Sequence, residues 1–178
     1  MGIDDITIID FDKVEKHNIP NQFYKINNEG EKKVEALAKI VNEFSGNQIN
    51  IIDTKIDDDT EIELDLDTIV ITCLDSLEPR KLVFNKLKDC PIILIDPRMG
   101  GEEYQIYTID LSKEENIRFY EKTLDVVPKE APCGQKAIIY TILSIASEVC
   151  NIVKKINNNE NYPRIIKRDL HTYRILSE

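Results

Sequence analysis

The chain has 178 residues, of which 42% are hydrophobic and 31% are charged, and its formal net charge at pH 7 is −10. This length is sufficient for one domain with a substantial core, and the apolar fraction is too high for a disordered chain. No apolar run approaches the roughly 18 residues of a transmembrane helix. A pI near 4.8 argues against broad binding to the phosphate backbone of nucleic acids. We therefore expect a globular protein with neither a membrane nor a nucleic acid as its partner.

The N-terminal residues and the cysteines favour a cytoplasmic location. Residues 1–6 are acidic where a secretory signal peptide would be basic. The four cysteines are Cys73, Cys90, Cys133 and Cys150. They contain no C-x-x-C pair, so we expect no zinc site, and thiols without a signal sequence are typical of a reducing compartment.

The first third of the chain predicts a strand, a loop, a helix and a second strand. Residues 3–11 form a β-branched run that predicts a buried strand, and the polar residues 12–30 predict an ordered loop. Asn28 predicts the N-cap of a helix, and Gly46 predicts its end. Residues 48–56 alternate in polarity and predict another strand. The apolar face of the helix comprises Val34, Leu37, Ala38, Val41 and Phe44.

The middle of the chain has the order strand, helix, strand, strand. Residues 68–74 and 91–95 are continuously apolar, which is typical of strands that are covered on both faces. Residues 77–88 between them predict a helix, and residues 104–109 alternate as a further strand. This order predicts an α/β fold with a parallel sheet.

The C-terminal part predicts two helices and terminal strand structure. Residues 113–124 predict an exposed helix, and residues 128–134 predict a loop. Residues 137–156 predict a long helix that is buried in its apolar first half. Residues 164–175 predict strand structure that ends the chain. We expect residues 1–178 to form a single domain.

An acidic tract lies between the second and third predicted strands, at residues 57–67. It is either a cation site or a solvated surface. The tract lacks the spacing and the glycine of an EF-hand, so the solvated surface is the favoured interpretation.

Polar residues follow three of the predicted strands, at residues 10–12, 73–76 and 96–101. In open parallel sheets, ligands bind beyond the carboxyl ends of the strands. An aspartate at such an end can accept hydrogen bonds from both ribose hydroxyls, or it can cap a turn or a helix. Spacing alone leaves both roles open for Asp10 and Asp75.

Three sequence blocks together resemble a known family. The pattern D-F-D-x-V-E-x-x-N covers residues 10–18, and G-x-x-K-V-E-A-L covers residues 30–37. The third block is C-x-D-S at residues 73–76, followed by Arg80 and Asn85. At this spacing, from about residue 3 to residue 108, the chain resembles the ThiF/MoeB/HesA family, the adenylating enzymes related to ubiquitin-activating enzymes.

The resemblance implies a fold and an activity. The fold would be Rossmann-like and doubly wound, with a mainly parallel sheet flanked by helices, a long C-terminal helix and terminal strand structure. The activity would be ATP- and Mg²⁺-dependent adenylation of the C-terminal carboxylate of a ubiquitin-like or sulfur-carrier protein, with release of pyrophosphate. The family also implies a homodimer.

The resemblance further assigns roles to four residues, and each has a simpler alternative. Asp10 would bind the ribose, and Asn18 would lie in the loop on the phosphate side, unless it makes an Asx turn. Lys33 would contact the phosphates as a catalytic residue, unless it is merely solvated. Asp75 would hold Mg²⁺, unless it caps the following helix.

Cys133, between Pro132 and Gly134, resembles the acceptor cysteine that several relatives carry in a crossover loop. A position before a helix N-terminus would lower its pKa, although an incidental thiol is the alternative. Cys73 and Cys150 are expected to pack in the core.

Two features depart from the family pattern. Asn21 stands where the family has an arginine that reaches the ATP phosphates, and an amide cannot replace a guanidinium there. None of the six glycines forms the G-x-G-x-x-G loop that precedes the strand of Asp10 in the family. Without that strand–loop–helix unit, the strand of Asp10 would expose an apolar edge. We therefore expect an incomplete domain, either part of a longer polypeptide or one that needs a partner to supply the unit.

Two hypotheses about function follow. The first is an adenylyltransferase domain, favoured by Asp10, Lys33 and Asp75. The second is a non-catalytic subunit kept for dimerisation or for binding a carrier protein, favoured by Asn21 and the absent glycine-rich loop. A dehydrogenase that uses NAD is a distant third, because it would not explain Lys33 or the C-x-D-S block.

Overall fold

The computed structural model describes residue 3, residues 5–125 and residues 138–178, and it has a mixed α/β architecture. The chain divides into two compact units, Met1–Thr60 and Glu61–Glu178. No described helix is long and apolar enough to cross a lipid bilayer.

The first unit contains a two-stranded parallel sheet and one long helix. Strands β1 (Thr7–Ile9) and β2 (Asn50–Ile52) pair in register, with Thr7 opposite Asn50. A single 3-10 turn (Ile26–Asn28) and helix α1 (Lys33–Ser45) lie between them in the chain. Both strands are shorter than their apolar runs predict, because a strand is defined by pairing rather than by composition.

Helix α1 starts later than expected. Its N-cap position is Lys32, and the prediction of Asn28 is wrong. Asn28 belongs to the 3-10 turn, where its Oδ1 atom accepts a hydrogen bond of 2.8 Å from the Lys25 backbone. The end of the helix is as predicted, since Gly46 has a φ of 75°, a left-handed conformation that suits glycine.

The core of the first unit is small. Ala36 and Ile40 of α1 pack with Val14 and Tyr24 from the loop. Phe44, which the sequence places on the apolar face, is 86% exposed. In the part of the chain that the structure describes, β1 pairs with β2 alone. Exposed isoleucines on this small sheet are Ile9, Ile51 and Ile52, so the prediction of a buried strand over residues 3–11 is wrong.

The second unit contains a five-stranded mixed sheet. Its strands are β3 (Ile69–Ile71), β4 (Ile93–Gly100), β5 (Glu103–Asp110), β6 (Ile165–Asp169) and β7 (Arg174–Ser177), in that spatial order. Its helices are α2 (Leu77–Leu87), α3 (Glu114–Leu124) and α4 (Ile139–Asn157). The β3–β4 pair is parallel, and the other three pairs are antiparallel.

Helices cover both faces of this sheet. On one face, Tyr104 and Ile106 of β5 pack with Ile145 and Ile152 of α4. On the other face, Tyr107 of β5 contacts the aromatic rings of α3. Alternate residues of a strand point to opposite faces, so β5 contributes to two separate layers of core.

Strand β4 continues beyond its predicted end. Residues 96–101 are not a ligand-binding strand end, because Asp96 to Gly100 pair with β5 across a hairpin turn. Gly101 has a φ of 61° in that turn. The predicted end was wrong since pairing with β5 extends the strand through Pro97, and the apolar run alone gives no sign of that pairing.

Further burial predictions need correction. The strand predicted over residues 68–74 is not covered on both faces throughout, since Ile71 is 41% exposed, and α3 is not an exposed helix, since Tyr120 and Leu124 are buried. Cys73 and Cys150 are exposed rather than packed in the core. The first half of α4 is not buried all round, since Ile139, Tyr140 and Leu143 are 37%, 47% and 48% exposed. The acidic side chains of residues 57–67 are exposed, as expected for a solvated surface.

Candidate functional site

A short antiparallel contact places Lys33 beside the end of β1. The backbone N–H of Val14 donates to Glu31, and that of Lys33 donates to Asp12, over 2.8 and 2.9 Å. Gly30, with a φ of 86°, makes the turn and donates to the Val14 carbonyl. This contact holds the first residue of α1 against the residues that follow β1.

Lys33 lies between two carboxylates. Its Nζ atom is 2.7 Å from Oδ2 of Asp12 and 3.9 Å from Oδ2 of Asp10. The side chain of Lys33 is only 15% exposed, against 37% for Asp10 and 48% for Asp12. The alternative that Lys33 is simply solvated is therefore wrong. The structure brings together the predicted residues Asp10 and Lys33 and adds Asp12, to which the sequence assigned no role.

The two carboxylate oxygens of Asp10 have different roles. Its Oδ1 atom accepts a hydrogen bond of 2.8 Å from the backbone of Asp12, and its own backbone N–H donates to Ile52. The turn role considered for this aspartate is therefore real. Its Oδ2 atom faces Lys33, so the carboxylate keeps acceptor capacity for a further donor.

Tyr24 is a buried neighbour of Lys33, Asp10 and Asp12. Its side chain is buried, and its hydroxyl donates over 3.4 Å to the Lys33 carbonyl. Burial, followed by the charges of Asp10 and Asp12, raises the pKa of Tyr24 to about 12. The phenol therefore stays protonated at neutral pH, and it adds no third negative charge beside Lys33.

Asn18 shapes the loop that follows Asp12. It is 6% exposed, and its Oδ1 atom accepts a hydrogen bond of 2.8 Å from the Glu15 backbone. The backbone carbonyl of Asn18 accepts from the N–H groups of Asn21 and Gln22. The amide oxygen of Asn18 is therefore already used by the loop, but the bond is not the Asx turn given as the alternative, because the donor lies three residues before Asn18 rather than two residues after it.

In the second unit, Asp75 lies between β3 and α2. The side chain is exposed, and Ser76 is the N-cap residue of α2, so Asp75 does not have the helix-capping position considered for it. Burial lowers the pKa of the nearby Arg80, and the Asp75 carboxylate partly offsets this. Cys133 lies outside the described residues. Within the described ranges, no group of three or more His, Cys, Asp or Glu side chains could hold a metal ion.

Comparison with known proteins identifies the family. Residues 1–177 match the ThiF family. The chain belongs to the ThiF family. This finding confirms the resemblance based on the blocks around Asp10, Lys33 and Asp75. No curated protein matches the sequence significantly.

Solved structures share the fold of this ThiF-family chain. E. coli MccB with ATP superposes with a TM-score of 0.72 at 17% identity, over 99% of this chain and 56% of MccB. E. coli MccB with AMPCPP and MccA gives 0.73 at 17% identity, over 99% and 56%. PaaA gives 0.67 at 16% identity, over 97% and 64%. These likenesses confirm the Rossmann-like α/β fold, and the chain spans about three-fifths of the length of these relatives.

Proposed function

We propose that this ThiF-family chain is an adenylyltransferase domain that activates the C-terminal carboxylate of a carrier peptide or protein with ATP. The observation that carries the proposal is the position of Lys33 between Asp10 and Asp12. A carboxylate pair that holds an ammonium at the end of a strand supplies both an acceptor for ribose and a cation for phosphate.

The residues of the first unit fit a nucleotide. Asp10 would accept from the ribose hydroxyls through Oδ2, since Oδ1 is occupied by the turn. The ammonium of Lys33 would turn from Asp12 to the phosphates, which carry more negative charge than one carboxylate. Asn18 would act by shaping the loop on the phosphate side.

The reaction is a displacement at phosphorus. A carboxylate oxygen of the carrier attacks the α-phosphorus of ATP, the bond from that phosphorus to the bridging oxygen breaks, and pyrophosphate leaves. The product is an acyl-adenylate. Lys33 would stabilise the negative charge on the transferred and leaving groups, and such positioned charge is the main source of catalysis in phosphoryl transfer.

Asp75 would hold Mg²⁺. One exposed carboxylate fits this ion, which usually binds through one or two carboxylates, substrate phosphates and water. A dedicated protein cage is therefore not required. The metal would neutralise phosphate charge.

The partner would be a ubiquitin-like or sulfur-carrier protein or a shorter peptide. MccB has been solved together with MccA, which supports a carrier partner for a family member. We also propose a cytoplasmic homodimer. Full activity would require a glycine-rich strand–loop–helix unit, from a longer polypeptide or from a partner, because this sequence contains no G-x-G-x-x-G. Cys133 would then be a candidate acceptor for the activated acyl group.

Exchange of labelled pyrophosphate into ATP tests the proposal. The chain, alone and extended upstream, is incubated with peptides that have a free C-terminus and with the same peptides amidated. We expect exchange with free carboxylates only, and its loss in Lys33→Gln. Lys32→Gln is the matched control, since Lys32 pairs with Asp53 instead of with the site. Exchange that survives Lys33→Gln would contradict the proposed role.

A non-catalytic subunit is the second candidate. Asn21 stands where the family arginine reaches the phosphates, and the ammonium of Lys33 is already paired with Asp12. This candidate predicts that a carrier peptide binds with the same affinity with or without ATP, and that no peptide supports exchange. Calorimetric titration of the peptide against the chain distinguishes the two candidates.

A further inference from the structure

The carboxylate of Asp96 is the centre of a buried polar cluster in the second unit. Asp96 is fully buried, and four side chains donate hydrogen bonds to it. Its Oδ1 atom accepts from Arg80 and, over 2.8 Å, from Thr72. Its Oδ2 atom accepts from Arg98 over 2.6 Å and from Tyr120 over 2.7 Å. Burial raises the pKa of Tyr120, so this phenol remains a donor.

Arg80 connects this cluster to the backbone before Asp75. Its Nη2 atom donates to the Leu74 carbonyl, and its Nη1 atom donates to the Thr72 carbonyl over 3.4 Å as well as to Asp96. One guanidinium therefore holds two carbonyls of the segment that leads into Asp75. Arg80 is 6% exposed, so water does not compete for these bonds.

We propose that Asp96 is a positioning residue, which orients Arg80 so that residues 72–75 present the Asp75 carboxylate in one fixed place. Asp96 touches neither nucleotide nor metal and acts through Arg80. The expected effect of Asp96 on Mg²⁺ binding rests on the proposed function of Asp75. Its effect on the conformation of residues 72–75 does not.

A carboxylate is the side chain that this arrangement requires. Two oxygens with about four lone-pair sites can accept from four converging donors. An amide of the same shape has one oxygen, and its NH₂ group would face other donors. Asp96→Asn therefore keeps the volume but leaves donors of the cluster unsatisfied, and the guanidinium of Arg80 loses its anionic partner.

Arg98 provides a matched control within the same cluster. It shares the Asp96 carboxylate, but its other nitrogens donate to the carbonyl and hydroxyl of Thr123, each over 3.0 Å. Arg98→Lys should therefore disturb the end of α3 and not the segment before Asp75. A general loss of packing would affect both regions.

Hydrogen–deuterium exchange of the full chain tests the positioning role. In Asp96→Asn, we expect the amide of Thr72, which donates to the Ile95 carbonyl over 3.0 Å, to exchange about tenfold faster or more, while those of β5 and β6 remain protected. Arg98→Lys should leave the exchange of the Thr72 amide unchanged. If Asp96→Asn does not fold, Arg80→Lys replaces it, because one ammonium cannot hold Asp96 and the Leu74 carbonyl together. Unchanged exchange at Thr72 in the folded variant overturns the proposal.

Binding of Mn²⁺ with ATP, followed by electron paramagnetic resonance, tests the consequence. We expect Asp96→Asn to weaken Mn²⁺ binding about tenfold in the native background and to have no further effect in an Asp75→Asn background. Equal losses in both backgrounds would mean that Asp96 acts by stability alone, which overturns the proposal. If Asp75→Asn itself has no effect, the metal role in the proposed function fails, and the exchange result still decides the positioning role.

Discussion

Lys33, the first residue of α1, and Asp12, three residues after the end of β1, form an ion pair of 2.7 Å. The Lys33 side chain is 15% exposed. In a chain with a net charge of −10, this places a mostly buried cation beside two carboxylates. Such a cation is available to an anion that can outcompete Asp12. The polyphosphate of a nucleotide is an anion of this kind.

Replacing Lys33 should weaken ATP binding. Because a charge-assisted hydrogen bond contributes about 1.5–3 kcal/mol, we expect Lys33→Gln to raise the Kd for ATP roughly 10- to 100-fold. Lys32→Gln, at the adjacent position, should leave the Kd within about twofold, since its partner Asp53 is outside the site. Calorimetric titration measures both. Equal effects of the two substitutions would show that Lys33 contributes only general charge.

Removing the Asn18 side chain should loosen the loop that follows Asp12. Asn18→Ala leaves the partly buried Glu15 backbone N–H without its acceptor, so we expect about 1 kcal/mol less free energy of unfolding. Asn21→Ala is a comparison in the same loop that keeps the Asn18 acceptor. Urea unfolding followed by circular dichroism measures the difference. A free energy of unfolding equal to that of the native chain would show that this hydrogen bond is dispensable.

The buried Tyr24 should make stability depend on pH above 10. The pKa of Tyr24 is about 12 in the folded chain, against 10.0 for an unburied tyrosine, so the folded state binds this proton more tightly than the unfolded state. The contribution is fully present below pH 10 and is lost as the pH rises through 12, and the two pKa units correspond to about 3 kcal/mol. Comparing urea unfolding of the native chain and Tyr24→Phe at several pH values isolates this contribution. An identical pH dependence in Tyr24→Phe would contradict it.

Removing the Asp96 carboxylate should be costly. Asp96→Ala leaves two guanidiniums, those of Arg80 and Arg98, without their buried anion, and we expect a loss of about 3–5 kcal/mol in free energy of unfolding. Glu114→Gln is the matched control, because its pair with Arg118 is exposed and should contribute less than about 1 kcal/mol. Urea unfolding measures both variants. Similar losses in the two would mean that the cluster around Asp96 is no stronger than a surface pair.

Most of the helices and strands could be predicted because their signals are local. The end of α1 follows from Gly46, and α2 matches its predicted range within a residue. The start of α1 could not be predicted, since Asn28 satisfies the rule for an N-cap but makes its hydrogen bond inside a 3-10 turn. The end of β4 depended on pairing with β5, which is a contact between distant parts of the structure.

The site was predicted only in part. The resemblance named Asp10 and Lys33, and the structure brings them within 3.9 Å. It gave no role to Asp12, the tighter partner of Lys33, because an ion pair depends on where two side chains meet. The sequence placed Asp96 only at a strand end for the same reason, because its donors come from the residue that follows β3, from α2, from β4 and from α3.

The sequence by itself determined the α/β class, the order of the elements and membership in the ThiF family, because periodicity and spaced motifs are properties of the chain alone. Only the tertiary structure decided which charges are paired. Lys33 is held by Asp12, and Asp96 is held by Arg80 and Arg98. The physical reason is that folding decides which opposite charge lies beside each charged group, and burial makes that ion pair costly to break.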